Sequence, residues 1–177
     1  IEEPAPLIVS KSNFKSLVHR RATADYIGVK RFNAEGDAIG ETRFVGLFTA
    51  DAYNRAVEDI PLLRRKAAQV IAASGAKPGT HNYAVLRNIL ETYPRDELFQ
   101  ISDDELYETA LGILALGDRQ RLRLFLRRDP FERFVSCLVY VSRDAYATDL
   151  RMRLQDILMQ AFAGTSAEFH VQLGDTV

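Results

Sequence analysis

The sequence predicts an α+β protein: a β-hairpin at the end of a sheet, a helical middle, and a strand-strand-helix-strand unit. Three observations predict it. Apolar residues alternate with period two through residues 25–48, recur with helical period through residues 49–117, and alternate again from Arg119. Glycine, proline and asparagine clusters fall between these stretches, where turns belong. The 177 residues, 47% hydrophobic and 27% charged, suffice for a buried core without disulfides or a metal. The expected divisions are 1–48, 49–117 and 118–177.

Residues Ile1 to Lys15 carry two prolines and little pattern, and read as a linker. Asp25 to Phe32 (DYIGVKRF) is rich in β-branched and aromatic residues and reads as a strand. Asn33-Ala34-Glu35-Gly36-Asp37 is turn chemistry, because asparagine and glycine tolerate positive φ. Ile39 to Phe48 returns as a second strand. Two strands alone are marginal, so the sheet is expected to gain others, either within the first 24 residues or from outside them.

Pro61 suits a first helical position, and Leu62, Leu63, Ala67, Val70 and Ile71 then form one stripe. Gly75 is the expected stop and Pro78-Gly79 a loop. A second helix is expected from about Asn82 to Thr92, with Val85, Leu86, Ile89 and Leu90 inward and Pro94 ending it. Arg95, Asp96 and Glu97 then read as a corner tying helices to the sheet. Ser102-Asp103-Asp104-Glu105 is a capping box for a third helix, which carries Leu106, Ala110, Leu111, Ile113 and Leu114 and closes at Gly117.

Beyond Arg119, Leu122, Leu124 and Leu126 alternate with Arg121, Arg123, Phe125 and Arg127. Asp129 to Glu132 connects to a second strand, Phe134 to Val141, with Val135, Cys137, Val139 and Val141 on one face. Thr148 and Asp149 are the expected cap of a helix bearing Leu150, Leu154, Ile157, Leu158 and Ala161, and Gly164 ends it. Phe169, Val171 and Leu173 alternate with Glu168, His170 and Gln172 in an expected last strand. This order makes most of a small split βαβ sandwich, with a further strand expected beyond Val177.

Several chemistries lack their signatures. Gly75 to Thr80 has neither the spacing nor the lysine of a phosphate loop. Gly36-Asp37-Ala38-Ile39-Gly40 has too few glycines for a dinucleotide fingerprint and sits in a hairpin. His19, His81 and His170 are scattered and form no metal-ligand pair, and His170 reads as an exposed strand residue. Cys137, the single cysteine, lies in an apolar strand; burial there raises a thiol pKa, so it reads as a small core residue rather than a nucleophile. Asp103, Asp104, Glu105 and Glu108 at a helix start complement its dipole. A net charge of -1 and the missing paired aromatics argue against nucleic-acid binding. The longest apolar run is too short to span a bilayer, and no signal peptide opens the chain. The start at Ile1 and the end just after an alternating run read as an excised piece of a longer cytoplasmic protein.

Three segments carry a family likeness: DAYNRAVEDIPLLRRK (Asp51 to Lys66), ILETYPRDELFQI (Ile89 to Ile101) and RRDPFERFVSCLVYVSRDAY (Arg127 to Tyr146). Together they resemble the long amino-terminal region of the large bacterial NAD-dependent glutamate dehydrogenases, over roughly Phe44 to Arg151. The resemblance implies that the hairpin ends a sensor-like sheet and that the unit from Arg119 is an ACT-like, ferredoxin-like module. It implies an NAD-dependent conversion of L-glutamate to 2-oxoglutarate and ammonia in the whole protein. NAD and the catalytic residues would lie outside this segment, so no catalytic, cofactor or metal residue is carried over. The expected role is non-catalytic, in regulation or oligomerisation. The expected partners are other domains, other subunits of a homo-oligomer and an amino-acid effector, with neither nucleic acid nor membrane. Arg127, Arg128, Arg133 and Arg143 are the effector or interface candidates, because arginine grips carboxylates with two parallel hydrogen bonds. Ion pairs with Asp129, Glu132 and Asp144 are the competing use of these arginines. An independent small-ligand- or RNA-binding α+β module is the alternative for the whole.

Overall fold

The computed structural model describes residues 5–18, 21–117 and 122–172. Antiparallel strands and helices fall in separate runs along the chain, as in an α+β fold. The chain divides into two compact units, Ile1–Tyr107 and Glu108–Val177.

The first unit opens with a three-stranded antiparallel sheet, order β1-β2-β3, made of β1 (Leu7–Ser16), β2 (Ala22–Phe32) and β3 (Ala38–Gly46). The expected linker is thus largely a strand. Leu7, Ile8 and Val9 find partners in Val29, Gly28 and Ile27, so cross-strand pairing overrides a weak local pattern. The hairpin between β2 and β3 has the expected chemistry. Asn33 N–H donates to the Asp37 carbonyl at 3.0 Å, Asp37 N–H donates to Asn33 Oδ1 at 2.7 Å, and Gly36 takes φ 92°.

Short α1 (Ala50–Asn54) and a 3-10 turn (Val57–Asp59) lead into α2 (Pro61–Ser74), which begins on its proline and ends at Gly75 with φ 68°. Next come α3 (His81–Thr92), α4 (Arg95–Gln100) and α5 (Asp103–Leu114), the last straddling the division between units. Leu63, Val70, Leu86, Ile89, Leu90, Leu98 and Leu106 are buried, as their helical spacing dictates. The capping box forms in full: Glu105 N–H donates to Ser102 Oγ and Ser102 N–H donates to Glu105 Oε2, both at 3.2 Å. Phe48 stacks on Phe99 at 4.5 Å, and β1 packs against α4.

The second unit holds a two-stranded antiparallel sheet, β4 (Arg123–Arg128) with β5 (Val135–Tyr140), and a helix, α6 (Thr148–Ala161). Gly112 admits the Phe125 ring: a Cβ there would lie 2.6 Å from Phe125 Cε1. Three expectations change. Residues 166–172 form no strand, although their side chains alternate, and no ladder partner lies beside them among the described residues; Leu173 is outside the described residues. The α6 helix starts at Thr148 after Ala147, so neither Thr148 nor Asp149 caps it. Cys137 is half-buried, not core, because it sits opposite Leu126 on an uncovered face.

Candidate functional site

The arginine-bearing hairpin of the second unit is built around Asp129. This carboxylate is fully buried and closes the turn between β4 and β5. Its Oδ2 accepts from the N–H groups of Phe131 (3.2 Å) and Arg133 (3.3 Å) and from Arg133 Nε (2.8 Å), while Oδ1 accepts from Arg133 Nη2 (3.2 Å). Backbone bonds from Asp129 N–H to the Phe134 carbonyl and from Glu132 N–H to the Asp129 carbonyl complete it. Glu132 takes φ 56°, a left-handed conformation that this closed turn holds in place.

The four candidate arginines therefore differ. Arg133 is spent on Asp129, and its guanidinium also lies 5.0 Å from the Phe131 ring centre. Arg127 is 5% exposed, with its guanidinium 5.6 Å from the Phe134 ring centre. Arg128 ends β4, is exposed, and makes no ion pair among the described residues. Arg143 opens the 3-10 turn Arg143–Ala145 that follows β5, outside the hairpin. Three of the four share one hairpin; only Arg128 presents a charge without a described partner to an incoming anion. Tyr140, edge-on to Phe125 at 5.9 Å, has its phenol pushed up to about 12 by burial.

The alternation of β4 is real, but its burial runs opposite to a leucine core. Leu122, Leu124 and Leu126 are 57%, 39% and 50% exposed, while Arg127 is inside. Leu124 and Leu126 stand opposite Val139 and Cys137 of β5, so the uncovered side is a continuous apolar face.

In the first unit, the polar groups converge where sheet meets helices. Lys11 of β1 pairs with Asp25 of β2 at 2.6 Å and with Asp96 of α4 at 3.2 Å. Asp25 also accepts the Phe48 N–H (3.1 Å), and Asp96 accepts the Tyr53 hydroxyl (2.7 Å). The Arg95-Asp96-Glu97 corner thus ties helix to sheet through Asp96. Burial opposes the Lys11 ammonium, yet its hydrogen bonds and the charges of Asp25 and Asp96 outweigh this and hold its pKa above 10.5. A raised lysine pKa stabilises the fold fully below the unfolded-state value and loses that contribution as pH climbs past the folded-state value. Lys11→Met is expected to cost about 2 kcal/mol near neutral pH, with the gap from the unsubstituted chain closing only above pH 10.5. Chemical denaturation at a series of pH values checks this; a gap that closes already between pH 6 and 8 would refute it.

Lys66 is a residue that pattern reasoning passed over, whereas Arg95 is read as part of the corner after Pro94. Lys66 sits inside the apolar stripe of α2, and its Nζ donates to the carbonyls of Leu98 (3.1 Å), Phe99 (3.2 Å) and Ile101. Arg95 Nη2 donates to the Arg55 carbonyl (3.2 Å) and to Glu91 (3.4 Å). A lysine at a stripe position next to Leu63 and Val70 was the available signal for the first.

The described residues contain no cluster of metal-ligating side chains. The described residues set no dinucleotide fingerprint at a helix N-terminus. Gly36 and Gly40, the nearest to a dinucleotide spacing, lie in a β-turn and an edge strand, where no helix N-terminus presents its amides to a pyrophosphate. No described helix is long and apolar enough to cross a membrane.

Residues 60–119 match the helical motif 1 of glutamate dehydrogenase, and residues 123–177 match its ACT2 domain. Among similar proteins, the NAD-specific glutamate dehydrogenase of Halomonas elongata is 46% identical over 176 residues, 98% of this chain and 11% of the relative. That of Pseudomonas aeruginosa is 41% identical over the full 177 residues, again 11% of the relative. That of Mycobacterium tuberculosis is 35% identical over 170 residues, 96% of this chain and 10% of the relative. The chain thus spans about a tenth of the length of these relatives. Carrying the helical motif followed by the ACT2 domain, and alike from end to end to three such enzymes, the chain belongs to the NAD-specific glutamate dehydrogenase family.

Proposed function

We propose that this segment is a non-catalytic part of a cytoplasmic NAD-dependent glutamate dehydrogenase, serving subunit association and response to an amino-acid effector. The parent protein would oxidise L-glutamate with NAD to 2-oxoglutarate and ammonia, using a dinucleotide site elsewhere. The observation that carries this reading is the uncovered leucine face of β4 beside a hairpin whose arginines are mostly committed to structure. Such a face is built to be covered by another protein surface, not to do chemistry. Arg128 is the residue left to meet an effector carboxylate.

The test is an assay of the 177-residue chain for glutamate-dependent NAD reduction, alongside calorimetric titration with amino acids. No turnover is expected, and any amino-acid heat should fall when Arg128 becomes alanine. Measurable turnover overturns the reading. Heat that survives the Arg128→Ala change moves the effector site away from the hairpin.

A further inference from the structure

Helix α4 has little of its own to stand on. It has six residues, and Pro94 before it offers no capping side chain. Its neighbours are better equipped. Pro61 and Gly75 bound α2, Thr80 caps α3, and α5 has its capping box. A six-residue helix in water is mostly coil, so α4 is helical only while distant parts of the chain hold it.

Two lysines do the holding, one at each end. In the first turn, Asp96 accepts from the Lys11 ammonium of β1 (3.2 Å) and from the Tyr53 hydroxyl (2.7 Å). At the other end, the Leu98 and Phe99 carbonyls, with that of Ile101 just beyond, take the Lys66 ammonium of α2. Both placements suit the helix dipole, acid at the start and cation at the finish. A second route ties the same parts together. Lys11 also grips Asp25 (2.6 Å), Asp25 accepts the Phe48 N–H, and the Phe48 ring stacks on Phe99 of α4. The contacts run unbroken from the sheet through α4 to α2, and the links at both lysines need α4 to be helical.

We propose that α4 is a relay: it forms and frays as one unit, so that Lys11 in the sheet and Lys66 in α2 are coupled through it. Whatever pulls Lys11 off Asp96 loosens the carbonyls that bury Lys66, and linkage makes the effect reciprocal. A two-state element biased from both sides carries such coupling, and a short helix without side-chain caps is easily biased. A change at β1 thereby reaches the helical motif that begins at residue 60 without touching it directly. The relay operates with or without an amino-acid effector, so it stands apart from the function proposed above.

The experiment is acetylation of the 177-residue chain, read lysine by lysine by mass spectrometry, alongside hydrogen exchange. Exposed Lys77 is the internal standard. Lys66, 6% exposed, is expected to react slowly in the unsubstituted chain. Lys11→Met is expected to speed Lys66 acetylation about tenfold, as the loss of a charged hydrogen bond to α4 implies. The Leu98 and Ile101 amides, bonded to the Pro94 and Glu97 carbonyls, should exchange faster by the same factor while α3 amides keep their rates. Tyr53→Phe keeps the ring and removes the hydroxyl that Asp96 accepts, so it is expected to move the same readouts about threefold. Lys66 rates unchanged in both variants overturn the relay. Acceleration spread evenly over α3 and the sheet overturns it as well, because the lysines would then be linked only by global unfolding.

Discussion

Replacing Lys66 by methionine is expected to destabilise the helical part of the first unit by about 3 kcal/mol. Lys66 is 6% exposed, and its ammonium donates to three carbonyls at the end of α4. A helix end leaves its last carbonyls without intrahelical partners and carries partial negative charge, so an ammonium there satisfies both. At six residues, α4 has little stability of its own and depends on such tertiary partners. Methionine fills much of the same space but leaves the carbonyls buried and unbonded, at roughly 1–3 kcal/mol each before any relief from no longer burying a charge. For a chain of this size the loss corresponds to a melting temperature lower by roughly 6–12 °C. Thermal and urea denaturation decide the matter. A shift under 1 °C would mean that the carbonyls find other donors.

The second large effect is expected at Asp129. Alanine there removes the acceptor for two backbone N–H groups and for the Arg133 guanidinium at once, from a site with no solvent exposure. About 3 kcal/mol of the second unit's stability should go with it, because Arg133 loses its carboxylate and the turn loses its closure. Asparagine, with its oxygen placed where Oδ2 now lies, can still accept from Phe131 and Arg133 N–H, so Asp129→Asn should lose about half as much. Hydrogen exchange across β4 and β5 reads this directly. Equal protection in the alanine variant would show that the sheet, and not the carboxylate, holds the turn.

Much of this architecture is legible in the chain order of residues. Pro61 and Gly75 bound α2, Ser102 and Glu105 open α5, and Asn33 through Asp37 turn the first hairpin as their local chemistry requires. These are short-range rules: a cap or turn bonds groups within four residues of each other, so neighbours in sequence suffice. The Asp129–Arg133 clasp belongs to the same class. The Asp96 corner is foreshadowed by its place after Pro94, but not its partner, since Lys11 lies far away along the chain and only packing brings it near.

The sequence by itself determined the periods, the breaks between them and the family, because each is written in local spacing or contiguous motifs. Only the tertiary structure decided that Leu7–Ser16 pairs as a strand, that Lys66 is a buried donor within an apolar stripe, and that Arg127 goes inside while Leu124 and Leu126 stay out. The physical reason is that period two says two faces differ without saying which is covered. Covering a face takes a non-local surface, and its cost and gain are settled only when the chain closes on itself.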